Sequence, residues 1–524
     1  MDLSNSANPF LQSFPRTNEI VEPRLSQVTA LEIMWHHVKA KIKKIRLVMP
    51  PGGGKSAVAV AIMQAYLKTD VNTLYCSPLN ILVNQIQKKF KITTLKGRKH
   101  YPCLAGRNNA AEGYCQTDDC LHEMCGLSGN CDECIYNETK SEFVSSKIAN
   151  TNFSLFQIGI DNHPYAVIID EADEVENFIR LSHTVTIPDV SWDFADFKDH
   201  IKFLKECWEQ NKKILIEAKS DMNLKDRLDL IRSSNRIEYL ITDYTTYKEP
   251  WAVRVKVRED KSDRSWTKYQ PVTINRFLDQ LFSDRMVVCM SATPPNWEGF
   301  CTVQVESEFP KEIRPWKWHP VGRMSLNYRN KNIPKVAHFL RRLSGKTLVH
   351  CVSYDTASDL AKALKSIGIH PLLQVRTVSE TEEDYEKDSV KRDEAAEVFV
   401  ASKDQNKILL SVKFDRGVDF YEPDIVNNVI ACVPWPNPKD PLTIAKNKYM
   451  GTAWQDEQVA ATIMQMYGRV NRNMKKRTMT TILDSNFNSY VKNYWYSNHK
   501  DLFFDWFTEA EVKNGIAPSK MAVK

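Results

Sequence analysis

The sequence predicts an α/β protein with two parallel-sheet domains, and three observations carry that reading. A glycine turn, Met49-Pro50-Pro51-Gly52-Gly53-Gly54-Lys55-Ser56, lies between the apolar run Ile45 to Val48 and the apolar helix pattern Ala57 to Met63. A second apolar run, Val167-Ile168-Ile169, ends in Asp170-Glu171-Ala172-Asp173. A further series of apolar strands begins near residue 330. Strands that alternate with helices in this way form parallel sheets.

The glycine turn reads as strand, loop, helix. Glycines let backbone N–H groups close around phosphate oxygens, because no Cβ blocks the approach. In that pattern Gly52, Gly53 and Gly54 line the phosphates, Lys55 reaches the β/γ-phosphates, and the Ser56 hydroxyl ligates Mg²⁺. The usual eight-residue loop opens on Gly, and here it opens on Met49. The Asp170 run supplies the partner motif. A buried parallel strand that releases acids at its carboxyl end is where an α/β nucleotide site keeps its metal carboxylate. Asp170 is the Mg²⁺-side acid, and Glu171 is placed to orient an attacking water. Taken alone, the same acids suit the first turn of a helix; Lys55 upstream favours the nucleotide reading.

Along the chain, residues 1–23 read as an extended lead-in, and Leu25 to Lys44 as a helix running into the first strand. Thr73 to Cys76 is a second strand, and a helix follows from about Ile81 to Phe90. The Phe194 to Ile216 and Lys219 to Leu240 runs have helical spacing and many charges. Their aromatics Trp192, Phe194, Phe197 and Trp208 suit a core better than base stacking. Strands are expected at Trp251 to Val257, Trp266 to Ile274 and Arg285 to Met290. The second series has strands at Lys346 to Cys351, Lys407 to Val412, Val426 to Val433 and Arg477 to Leu483. Near its end stands Gln465-Met466-Tyr467-Gly468-Arg469-Val470-Asn471-Arg472. On a helix Gln465, Arg469 and Arg472 share one face. Guanidiniums there supply planar donors for a γ-phosphate; a solvated basic helix face is the plainer alternative.

Length and composition bound the rest. A chain of 524 residues predicts more than one domain, and 42% apolar content supports ordinary cores. A net charge of +6 excludes a polybasic binder. No apolar run reaches membrane-spanning length. The first residues show no secretory signal. A cytoplasmic, reducing setting is the default, with a nuclear or viral-host nucleoid setting open. Of twelve cysteines, six fall between 103 and 134: Cys103, Cys115, Cys120, Cys125, Cys131 and Cys134. That density points to a metal or cluster site.

Several short motifs together resemble the superfamily 2 helicases, and within them the XPD/DinG iron–sulfur group. In order they are Arg24-Leu25-Ser26-Gln27, Gly52 to Ser56, Ser77-Pro78-Leu79, Asp170 to Asp173, Ser291-Ala292-Thr293, Arg416-Gly417-Val418-Asp419-Phe420 and Gln465 to Arg472. The resemblance covers roughly residues 20 to 490. It implies two RecA-like domains with an inserted iron–sulfur module and a short helical arch-like insertion. The expected boundaries are 1–95, 141–175 and 249–328 for motor domain 1, 96–140 for the cysteine module, 176–248 for the arch and 329–524 for motor domain 2. It implies ATP and Mg²⁺ as ligands, with Arg24 and Gln27 on the adenine side and Asp419 also at the nucleotide. Lys55, Asp170, Glu171, Gln465, Arg469 and Arg472 are the implied catalytic set.

The cysteine window lies where that group carries a [4Fe–4S] cluster, held by thiolates at four points. Cys103, Cys115, Cys120 and Cys134 are the expected ligands, with Cys125 and Cys131 as alternates; zinc is the alternative metal, which the Cys131-x2-Cys134 spacing suits. The resemblance further implies a monomeric, ATP-dependent DNA helicase that moves 5′→3′ on single-stranded DNA and opens forked duplex in replication, repair or recombination. A translocase that unwinds little, or an ATP-gated DNA-binding subunit of a larger assembly, are the other readings. The literal Asp170-Glu171-Ala172-Asp173 also suits a DEAD-box RNA helicase, but the cysteine window and the arch-like insertion do not.

Overall fold

Two all-parallel sheets carry the architecture, as the alternating pattern predicts. The structure, a computed structural model, describes residues 8–17, 20, 22–78, 80–102, 135–188, 197–217, 224–256, 266–373, 394–412, 425–470, 476–487 and 502–512. The six clustered cysteines, Asp419, Arg472, Trp192 and Phe194 lie outside these residues.

The first sheet begins with β1 (Lys44–Val48), β2 (Thr73–Ser77), β3 (Thr93–Leu95), β4 (Ile148–Asn152) and β5 (Ala166–Ile169). The chain then makes three strands of another sheet: β6 (Val185–Pro188), β7 (Trp251–Lys256) and β8 (Trp266–Pro271). It returns with β9 (Met286–Ser291) and β10 (Cys301–Gln304). The seven strands run in the order β10-β1-β9-β5-β2-β4-β3. β2, β5 and β9 are buried along their whole length, which explains their continuous apolar runs. α1 (Leu25–Lys39) and α2 (Lys55–Leu67) pack on this sheet around Leu31, Met34, Val58 and Ile62. α2 is apolar on nearly every face, the pattern of a helix enclosed by its neighbours. β1, β9 and β5 are adjacent, so their carboxyl ends place residues 49–56, 170–173 and 291–293 side by side.

The second sheet comprises β11 (Trp316–Gly322), β12 (Lys346–His350), β13 (Leu372–Leu373), β14 (Ile408–Ser411), β15 (Ile425–Ile430) and β16 (Met479–Asp484), in the order β11-β16-β15-β12-β14-β13. Trp316, Ile430, Ile482 and Phe507 fill one face. Val349, Leu360, Leu410 and Val429 fill the other. Both sheets belong to one compact unit, formed by residues 1–175, 282–435 and 456–524.

Glu176–Leu281 and Pro436–Gln455 form a second unit. It contains α3 (Val175–Ser182, from its second residue), α4 (Phe197–Glu217), α5 (Leu224–Tyr247) and α6 (Pro441–Met450). Its sheet, β6-β8-β7, is antiparallel. β8 alternates between half-buried and buried residues, as a strand with one covered face does. Ile201, Leu204, Ile237, Leu240 and Tyr269 make the core, and Phe197 and Trp208 pack against it as core aromatics. This unit runs past 248, the expected end of the helical insertion, because β6 pairs with β8 beyond that boundary. It also takes 436–455 from the stretch expected to lie wholly in motor domain 2.

A buried ion network ties its two sequence stretches together. Glu176 sits between Arg180 at 2.5 Å and Lys446 at 2.9 Å. Arg180 also donates to the Pro271 and Val272 carbonyls. The Lys446 ammonium lies 3.9 Å from the Trp454 ring. Burial alone pushes the Glu176 carboxyl up, but Arg180 and Lys446 outweigh it and hold it at about 2.

The chain then runs on into α7 (Ala453–Gly468), whose later turns pack on the second sheet. The helix ends at Gly468, so Arg469 stands one residue beyond it. No helix among the described residues is long and apolar enough to cross a membrane.

Candidate active site

The glycine loop is held from behind by the start of α1. Arg24 Nη1 donates to the Gly52 carbonyl at 2.7 Å. Gln27 Nε2 donates to the Gly53 and Gly54 carbonyls at 3.2 and 3.3 Å. The Gln27 Oε1 accepts from the Arg24 backbone N–H at 2.9 Å, which fixes the amide's orientation. Gly54 has φ +81°, a left-handed conformation that favours glycine, and a Cβ there would stand 2.2 Å from Gln27 Nε2. What the structure gives Arg24 and Gln27, the two residues expected on the adenine side, is a hold on the loop carbonyls. Met49, in the place of the usual first glycine, is buried, and its backbone N–H donates to the Ser291 carbonyl at 3.0 Å.

The acids gather next to this loop. Asp170 is buried at the end of β5. Its Oδ2 accepts from the Tyr75 hydroxyl at 2.5 Å, and its Oδ1 from the Glu171 backbone N–H at 2.9 Å. Glu171 adopts φ +48°. Burial raises its carboxyl, Lys55 pulls the other way, and Asp173 and Asp170 add to the rise. Asp173 Oδ1 accepts from Ser291 Oγ at 2.5 Å. Lys55 thus offsets part of the rise at Glu171, while Asp170 is held on both oxygens.

Gln465 joins the two sheets. Its Nε2 donates to Thr293 Oγ1 at 2.8 Å, and its Oε1 accepts from Arg469 Nη2 at 2.8 Å. Both Gln465 and Arg469 are almost completely buried. Asn428 Nδ2 donates to the Met466 carbonyl at 3.1 Å and pins the last turn of α7. A Cβ on Gly468 would come within 2.3 Å of Pro51 Cγ, so the helix meets the glycine loop closely enough to require glycine. The expected i, i+4 relation of Gln465 and Arg469 is present as a direct hydrogen bond, although the helix stops between them.

The structure brings together Arg24, Gln27, Gly52, Gly53, Gly54, Lys55, Ser56, Asp170, Glu171, Gln465 and Arg469. Asp419, Arg472 and the cysteines fall outside the described residues. The sequence reading missed Tyr75 at this site. The available signal was a tyrosine inside a fully buried strand, since a buried phenol hydroxyl needs a partner.

Ser56, Asp170 and the neighbouring carboxylates are hard oxygen donors of the kind Mg²⁺ takes beside phosphates. With the glycine cradle, they fit a Mg²⁺-nucleotide.

Two families match the sequence: "Helicase C-terminal domain" over residues 336–507, and "Type III restriction enzyme, res subunit" over residues 20–177. No curated protein matches the chain. Among solved structures, Xpd4 of S. tokodaii is similar at 15% identity and a TM-score of 0.52, covering 91% of this chain and 98% of that one. S. cerevisiae Dbp5 bound to RNA and ADP BeF3 matches at 13% identity and a TM-score of 0.40, over 94% and 92% of the two chains. Mycobacterium smegmatis helicase Lhr bound to ssDNA and AMP-PNP matches at 12% identity and a TM-score of 0.40, over 92% and 48%.

Paired RecA-like sheets meeting at a glycine loop, together with the two family matches, define a superfamily 2 helicase-type ATPase. Within that class the fold is similar to that of S. tokodaii Xpd4. Helicases of this class use ATP and Mg²⁺.

Proposed function

We propose that the chain is an ATP-dependent DNA helicase that moves 5′→3′ along single-stranded DNA. The observation that carries this reading is the Gln465 bridge, which ties Thr293 beyond the first sheet to Arg469 beyond the second. A junction of that kind couples events at a γ-phosphate to the relation between two domains. DNA as the track, and the polarity, come from the resemblance to the XPD/DinG group.

In this reading Lys55 neutralises the β/γ-phosphates and Ser56 and Asp170 hold Mg²⁺. Bound there, the ion polarises the transferring phosphoryl group. Glu171 accepts the proton of the attacking water; its raised proton affinity suits a base. Arg469 and Arg472 enter from the second domain and stabilise charge as it develops. Gln465 senses the γ-phosphate through Thr293 and Arg469. Arg24 and Gln27 brace the loop and face the adenine, and Asp419 completes the second domain's side. Loss of the γ-phosphate removes what bridges the two domains, so the grip on the strand alternates.

ATPase activity is expected to be low in the isolated protein and to rise about tenfold or more with single-stranded DNA, because the strand aligns both domains. DNA affinity should fall as salt rises, through counterion release. Stimulation by RNA and not by DNA would overturn the DNA assignment.

The same reading places a [4Fe–4S] cluster on Cys103, Cys115, Cys120 and Cys134, with Cys125 and Cys131 as alternates. Anaerobically purified protein is expected to be brown and to contain about four iron atoms per chain. Cys103→Ser and Cys134→Ser should each bleach it and lose fork unwinding while keeping strand-stimulated ATPase. Stoichiometric zinc with no visible chromophore would replace the cluster with a zinc site.

A further inference from the structure

Tyr75 touches Asp170, one of the two groups assigned to the metal. It lies in the middle of β2, completely buried, with its ring in the core that α2 and β1 share. Its hydroxyl donates to Asp170 Oδ2 at 2.5 Å. A phenol has a single hydrogen, and here the Asp170 carboxylate takes it. The Glu171 backbone N–H holds the other carboxylate oxygen at 2.9 Å, so these two donors set the orientation of Asp170 at the end of β5.

We propose that Tyr75 is a positioning residue for the divalent cation: its phenol anchors the Asp170 carboxylate in the orientation in which it meets the ion. This rests on the nucleotide-site reading above. Neither the glycine loop nor Lys55 depends on the phenol, so nucleotide binding without metal is independent of it. A hydrogen bond to a charged group is the kind whose loss changes affinity by about tenfold.

The test is binding of N-methylanthraniloyl-ADP, followed by fluorescence, with and without MgCl₂. Wild type is compared with Tyr75→Phe, Tyr75→Met and Tyr66→Phe. Tyr66→Phe removes another core hydroxyl, one that donates to Met286 Sδ, and controls for general loosening. Tyr75→Met serves if phenylalanine fails to fold, because its flexible chain fills irregular space. Both Tyr75 variants are expected to bind the probe without Mg²⁺ as wild type does, and to need about tenfold more Mg²⁺ for half-maximal tightening. Tyr66→Phe should match wild type on both measures. A wild-type Mg²⁺ requirement in the Tyr75 variants overturns the role of Tyr75 and leaves the nucleotide site standing. Equal losses with and without Mg²⁺ also overturn it, since they mark a collapsed pocket. If wild type itself binds the probe with no response to Mg²⁺, the site reading falls and Tyr75 with it.

Discussion

Lys55→Ala is expected to lower ATP turnover by about a hundredfold or more while leaving single-stranded DNA binding within about twofold. Removing one preorganised donor or charge from the reacting group costs about that much in many active sites. Lys55 opens α2 directly after the glycine turn and is coupled to Glu171. Its loss therefore takes charge from the phosphates and also removes the larger of two cationic influences on Glu171, leaving Arg469. In the proposed function this loop binds nucleotide and not the strand, so strand affinity is the internal control. Steady-state turnover and fluorescence anisotropy on a labelled oligonucleotide measure the two quantities. Near-wild-type turnover would remove the glycine loop from the mechanism.

Arg469→Ala should cut kcat by about a thousandfold and move the KM for ATP far less, because an arginine finger acts mainly on charge that develops in the transition state. Arg469→Lys should recover little, since an ammonium cannot reproduce the planar fork. The alanine variant also leaves Gln465 Oε1 without the donor that now holds it at 2.8 Å. Gln465→Leu is the comparison that separates these contributions. It should lower kcat less than Arg469→Ala if the guanidinium acts directly. A change confined to KM would make Arg469 a ground-state binding residue.

The parts of this site that were legible in the sequence are those whose signal is local. A glycine turn between an apolar strand and helix, and acids released at the end of Val167-Ile168-Ile169, announce themselves within a few residues. The same holds for the Gln465–Arg469 pair, where four-residue spacing suffices. Tyr75 was not legible as a site residue because an apolar strand reads as core whichever way a single hydroxyl points. Only the three-dimensional approach of β2 to the end of β5 gives that hydroxyl its partner. The end of α7 at Gly468 was hidden for a related reason. Nothing in Gly468-Arg469-Val470 marks a stop as plainly as a proline does, whereas the 2.3 Å approach to Pro51 depends on the other sheet. The antiparallel β6-β8-β7 sheet shows the same limit. Trp251 to Val257 alternates as a strand should, but alternation does not say which strand lies alongside. Asp440 and Pro441 mark the start of α6 locally, with Asp440 accepting from the Thr443 backbone N–H at 3.1 Å. Its association with residues 176–281 is a long-range fact.

That association bears on the order in which the protein is made. The ribosome releases Glu176 and Arg180 long before Lys446, with the whole of 282–435 emerging in between. Until then the second unit lacks α6, and the Glu176 carboxylate has Arg180 but no lysine. The unit therefore completes its folding late in synthesis, after most strands of the second sheet have been made. For the same reason, it is not a cassette. Excising 176–281 from the gene would leave α6 behind, with Lys446 stripped of Glu176 and the helix stripped of β7.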